Sequence, residues 1–216
     1  MPLFIAGTGT NIGKTMFSTA LMKRWARAQH LQYLKPIQTG SDDDTQTVQK
    51  LSGLPDNFFL PNIYRFSLAA SPHLASESER KSIDIVHLKA SLYALKETRT
   101  VIELAGGLMV PLTREGYYTN CDLMRDVGFP AVLVASTALG TINHTVMSWK
   151  ILKNYDIECR GFFFIHHAIK TRHGALLQRD NIRTIIEMTG AINLGLYSTE
   201  DLIGGDSYPP IPNLFL

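Results

Sequence analysis

Cysteine is scarce in this chain, charge is nearly balanced, and no apolar run is long. Only two cysteines, Cys121 and Cys159, occur among 216 residues. They lie far apart and form no Cys-x-x-Cys pair, which argues against a disulfide framework and fits a reducing cytoplasm. The formal net charge is +2, too small to favour nucleic acid or an anionic membrane as partner. Runs of Lys or Arg and basic helices with interleaved aromatics are missing as well. No stretch reaches the roughly 18 apolar residues of a membrane span, and residues 1–6 are too short and uncharged for a signal peptide. Repeats and low-complexity tracts are absent. The expectation is one cytoplasmic domain spanning 1–216, with 45% apolar residues and length enough for a sizeable core. Ile203 to Leu216, with three prolines, reads as a surface-running tail.

What is present is an alternation of short apolar strands and amphipathic helices. Strands are predicted at Pro2–Ala6, Leu31–Leu34, Thr100–Glu103, Ala131–Ser136, Gly161–Ile165 and Ala191–Tyr197. Helices are predicted at Thr15–Ala28, Asp44–Leu51, Ile83–Leu95, Thr141–Tyr155 and Leu176–Met188. Such alternation implies an α/β fold, mainly a parallel sheet with helices on both faces. Ligands in these folds bind beyond the carboxyl ends of the strands. The polar segments GTGTNIGKT, KPIQTG, ELAGG and STALGTIN all fall at such ends, which points to one cleft.

The first segment, Gly7 to Thr15, reads as a phosphate cradle. Inward backbone N–H groups and a helix N-terminus suit anionic phosphate. Lys14 would reach the outer phosphates and the Thr15 hydroxyl would ligate Mg²⁺. The loop is nevertheless unusual, because its first glycine is Gly7, one residue earlier than the ordinary P-loop pattern puts it. Lys35 ends the next strand and brings a second cation toward an anionic centre. Thr39 follows it as a possible donor to a carboxyl or carbamate oxygen. Asp42, Asp43 and Asp44 would complement a helix dipole, and one of them could ligate Mg²⁺. Glu103 ends an apolar strand, as second carboxylates of nucleotide sites do. His166 and His167 are adjacent on a strand and point to opposite faces, so they do not read as a zinc pair.

Taken together, these motifs resemble the dethiobiotin synthetase family of ATP-dependent P-loop enzymes. The family loop GTxTxxGKT matches GTGTNIGKT. KPIQTG, DTQTVQKLS, Ser71-Pro72-His73, ELAGGLMVPL and LGTINHT continue the likeness in order over residues 3–165. The resemblance implies a P-loop NTPase-like fold, with Gly9, Thr10, Asn11, Ile12, Gly13, Lys14 and Thr15 holding the triphosphate. It implies Thr10 and Lys14 near the reacting phosphate, and Lys35 and Thr39 on the carbamate and the γ-phosphate. Thr15, Asp44 and Glu103 are the implied Mg²⁺ ligands. Asn143 is the residue implied to reach substrate on a partner subunit, hence a homodimer. The implied substrates are 7,8-diaminopelargonic acid (7,8-diaminononanoate), CO2 and ATP.

The chain departs from the family pattern where the base should sit. Ile165 or His166 stands where the family has the asparagine that reads adenine, and Leu196-Tyr197 replaces a later Ile-Pro. The resulting expectation is a base held by His166 or by stacking on Tyr197, with relaxed nucleotide preference. Leu104 also replaces a glycine of the family's EGAGG. Two other readings stay open at this point: a degenerate paralogue, and a P-loop nucleotide-binding protein without this turnover.

Overall fold

The computed structural model describes residues 1–166, 171–203 and 211–215. In chain order the first half forms β1 (Leu3–Gly7), α1 (Lys14–Gln29), β2 (Gln32–Leu34), β3 (Ile37–Thr39), α2 (Asp44–Ser52), β4 (Tyr64–Phe66), α3 (Pro72–Ser78) and α4 (Ile85–Tyr93). The second half forms β5 (Thr100–Glu103), α5 (Asn120–Val127), β6 (Ala131–Ser136), α6 (Thr141–Asn154), β7 (Cys159–His166), α7 (Arg172–Thr189), β8 (Asn193–Ser198) and α8 (Thr199–Ile203).

Among the described residues, six strands build one sheet in the order β2-β5-β1-β6-β7-β8. Every neighbouring pair is parallel. Side chains alternate across this sheet, so each strand feeds two cores. Phe4, Ala6, Ile102, Leu133 and Phe164 face a layer that includes Leu88, Leu123, Leu152 and Ile185 of α4, α5, α6 and α7. Leu3, Ile5, Val101, Val134 and Phe163 face Phe17 and Leu21 of α1 together with Val48 of α2. Near-continuous apolar strands thus follow from burial on both faces.

Several elements differ from the prediction. A small parallel pair, β3 with β4, lies outside the main sheet, because Pro36 interrupts the chain after β2 and redirects it. The short helix α3 starts at Pro72 and is too brief to show helical periodicity. The tail expectation also needs correction over its described part. Ile211, Leu214 and Phe215 are buried in the core beside α1, and Trp25 Nε1 donates to the Ile211 carbonyl. Ile211, between Pro210 and Pro212, and Leu214 and Phe215 after them bring this segment inward.

Candidate active site

The glycine loop leaves β1 at Gly7 and enters α1 at Lys14. A Cβ on Gly7 would stand 2.6 Å from Ile12 Cδ1 and 3.0 Å from Lys14 Cδ. The displaced glycine is therefore the position where the loop folds back on its own strand. Gly13 adopts φ 96°, and a Cβ there would run into the Ile165 side chain. Helix α1 starts with no side-chain cap on its first turn. Those amides stay available to an anion at the positive end of the dipole.

Lys14 is buried, and its Nζ donates to the Gly9 carbonyl at 2.8 Å. Burial, followed by the nearby Lys35 charge, lowers its pKa to about 8. A bound triphosphate would supply the countercharge that this position lacks. Lys35 directly follows β2 and is buried too. Its Nζ pairs with Asp44 Oδ2 at 2.8 Å and Glu103 Oε1 at 3.1 Å. Burial opposes its charge, but Glu103 and Asp44 outweigh that and raise its pKa.

Glu103 is 1% exposed. Besides Lys35, it accepts from Thr15 Oγ1 at 2.9 Å, Ser18 Oγ at 2.7 Å and the Tyr33 hydroxyl at 3.1 Å. Thr15 Oγ1 is also 2.9 Å from Asp44 Oδ1. One hydroxyl proton cannot serve two carboxylates, so three hard oxygens converge around a single hydroxyl hydrogen, with Lys35 donating to Glu103 Oε1 and to the other oxygen of Asp44. This donor set fits Mg²⁺, which takes one or two carboxylates with phosphate and water oxygens.

The three consecutive aspartates separate in space. Asp43 caps α2 through Gln46 N at 3.0 Å and pairs with Arg65 at 2.6 Å. Its partial burial is outweighed by those partners, and its pKa is lowered. Asp42 is exposed and gives its carbonyl to Gln38. Asp44 is the member that reaches Thr15 and Lys35.

A cleft of about 690 Å³ joins these groups, lined by Thr10 to Met16, Lys35, Gln38, Thr39, Asp44 and Glu103, with Ala69 to Pro72 as one wall. A family model described as an AAA domain matches residues 2–200. The ATP-dependent dethiobiotin synthetase of Leptospira interrogans is 40% identical over 197 residues, 91% of this chain and 86% of that protein. The enzyme of the same name from Nitrobacter hamburgensis is 47% identical over 165 residues, 76% of this chain and 74% of that protein. The chain belongs to the dethiobiotin synthetase family.

Solved structures resemble the chain in fold. A ParA family ATPase from Chlorobium tepidum matches at TM-score 0.54 with 9% identity, covering 94% of this chain and 88% of that one. The MinD cell division protein of Aquifex aeolicus matches at TM-score 0.52 with 11% identity, covering 93% and 82%. At such identity the likeness concerns the fold alone.

Two residues expected at the base, Tyr197 and His166, lie outside the cleft lining. Tyr197 is 5% exposed and stacks on Phe163 at 4.7 Å and 12°, with its ring across Gly195. That packing places it in the core, so base stacking on Tyr197 is not supported; the cleft wall at that end is Ile165 and Thr199. His166 closes β7 opposite Ser198, whose backbone and side-chain hydrogen bonds hold the Asp201 carboxyl below its ordinary pKa. It is not among the cleft-lining residues, and His167 falls outside the described residues. Asn143 is exposed on α6, away from the cleft lining.

Conversely, sequence reasoning passed over Ser18, Tyr33 and Gln38. Ser18 lies one helical turn after Thr15 and so shares its face. Gln38 is buried; its Nε2 donates to the Thr39 and Asp42 carbonyls, and its Oε1 accepts from Asp44 N. Every polar atom of that amide thus holds the loop that carries Asp44.

Proposed function

We propose that this cleft carboxylates 7,8-diaminopelargonic acid with CO2 and closes the ureido ring at the expense of ATP, in the cytoplasm and as a homodimer of single-domain subunits. One amine takes up CO2 as a carbamate. A carbamate oxygen attacks the γ-phosphorus, and ADP leaves. The neighbouring amine, after losing a proton, attacks the carbonyl carbon of the mixed anhydride and phosphate departs with the former carbamate oxygen. Dethiobiotin, ADP and phosphate result. No protein nucleophile is needed.

The observation that carries this reading is the pair of buried lysines, Lys14 on the loop and Lys35 directly after β2, facing one cleft. Carbamate and triphosphate are both anionic, and their approach needs fixed positive charge on each side. Lys14 and Thr10 serve the transferred phosphoryl group, and the loop amides from Gly9 to Thr15 hold the phosphates. Lys35 and Thr39 bind the carbamate. Thr15, Asp44 and Glu103 would hold Mg²⁺, which offsets charge on the phosphate oxygens and orients them. Asn143, exposed on α6, suits contact with substrate held by the other subunit.

The base remains the part of the reading that follows this chain rather than its family. Ile165 against Gly13 offers an apolar contact with no hydrogen-bonding edge, and His166 follows it. Relaxed nucleotide preference is the consequence. The decisive test incubates protein with the diamine, bicarbonate, Mg²⁺ and ATP. Dethiobiotin detected by mass, dependent on each component, is expected; nucleotide hydrolysis without that product would overturn the reading.

A further inference from the structure

Glu103 is gripped from two sides. Its Oε1 meets Thr15 and Lys35, while its Oε2 accepts from Ser18 Oγ at 2.7 Å and Tyr33 OH at 3.1 Å. The terminal torsion of a glutamate is soft. A carboxylate held by one oxygen alone can therefore turn away from a cation.

Tyr33 reaches this point by strand geometry. It pairs in register with Val101 on β5, and Glu103 lies two residues further along the same face. The ring is fully buried, with an edge contact to Phe59 at 6.0 Å and 61°. Packing alone would be served by phenylalanine; a buried phenol needs a polar partner, and here that partner is Glu103.

We propose that Tyr33 is a positioning residue of the reaction: with Ser18 it fixes Glu103 so that Oε1 stays presented to the divalent cation and to Lys35. This rests on the reading of Glu103 as a metal ligand. Partners behind a metal ligand typically change metal affinity 10- to 100-fold when removed. The packed ring should survive Tyr33→Phe, while the second grip on Oε2 is lost.

The test measures Mn²⁺ binding by electron paramagnetic resonance in the presence of a non-hydrolysable ATP analogue. Tyr33→Phe should weaken Mn²⁺ about tenfold, with binding of the analogue in the absence of metal unchanged. The Mg²⁺ concentration for half-maximal turnover should rise by a similar factor, while kcat at saturating Mg²⁺ is largely kept. Phe59→Leu, which loosens the ring but keeps the hydroxyl, should lower the thermal midpoint without moving Mn²⁺ affinity. Wild-type Mn²⁺ affinity in Tyr33→Phe would overturn the proposal, as would an equal loss in Phe59→Leu. Wild-type Mn²⁺ affinity in Glu103→Gln would instead remove the metal assignment, and the role of Tyr33 with it.

Discussion

Replacing Lys35 by methionine keeps much of the side-chain length and removes the ammonium that joins Asp44 to Glu103. Each ion pair is close, at 2.8 and 3.1 Å. At an effective dielectric of 20, unit charges about 4 Å apart attract by about 4 kcal/mol. Much of that is offset by the desolvation of the lysine itself. Breaking a buried pair by removing one partner costs about 3–5 kcal/mol, because the other charge is left uncompensated. The Asp44 side chain is 28% exposed, so water covers part of its loss and about 3 kcal/mol is the fitting figure. For a chain of this size, that lowers the thermal midpoint by about 6–12 °C. Mg²⁺ should then raise the midpoint of Lys35→Met more than that of the wild type, since the freed carboxylates regain a cation. Calorimetry with and without Mg²⁺ gives both numbers. A metal-free midpoint within about 2 °C of wild type, or equal Mg²⁺ shifts in the two proteins, would show that Lys35 does not hold these carboxylates together.

Lys14→Met should act oppositely on stability while abolishing most turnover. Burial and Lys35 hold the Lys14 pKa at about 8, so the unfolded chain binds more protons than the folded one between that pH and the ordinary lysine value. The variant's gain in midpoint is therefore full below pH 8 and fades as pH rises toward about 10.4; a constant difference from pH 7 to 10 contradicts this. Wild-type affinity for ATP should fall above pH 8 as Lys14 loses its charge, with a flatter profile in Lys14→Met by calorimetric titration. Steady-state rates with ATP, CTP and GTP should agree within about tenfold, the scale of one modest contact; strong ATP selectivity would show a base-reading group that Ile165 does not provide.

The fold was legible wherever an apolar run ended sharply. Thr100–Glu103 is a strand with the same bounds in sequence and structure, because three buried residues stop at a carboxylate. The loop was legible too, since its glycines and Gly-Lys-Thr stand where an apolar strand meets a helix. Elsewhere the signal was local but unread. Helix α5 carries a capping box between Thr119 and Asp122 and ends at Gly128, all visible as letters. Other features have no one-dimensional signature. Asp43 and Asp44 look alike until one caps α2 and the other turns to Lys35. Tyr197, an aromatic at a strand end, reads the same whether it faces a base or Phe163. Tyr33 looks like one more strand aromatic until β5 sets Glu103 beside its hydroxyl. Long-range register decides each of these cases.

The proposed chemistry turns on a carbamate oxygen attacking the terminal phosphate in this cleft. Rapid single-turnover reaction of the diamine–protein complex with ATP, Mg²⁺ and ¹⁸O-labelled CO2 tests it directly, with the released phosphate analysed by mass. One ¹⁸O atom transferred into phosphate for each dethiobiotin formed is expected. Phosphate free of label, with dethiobiotin still produced, would contradict it.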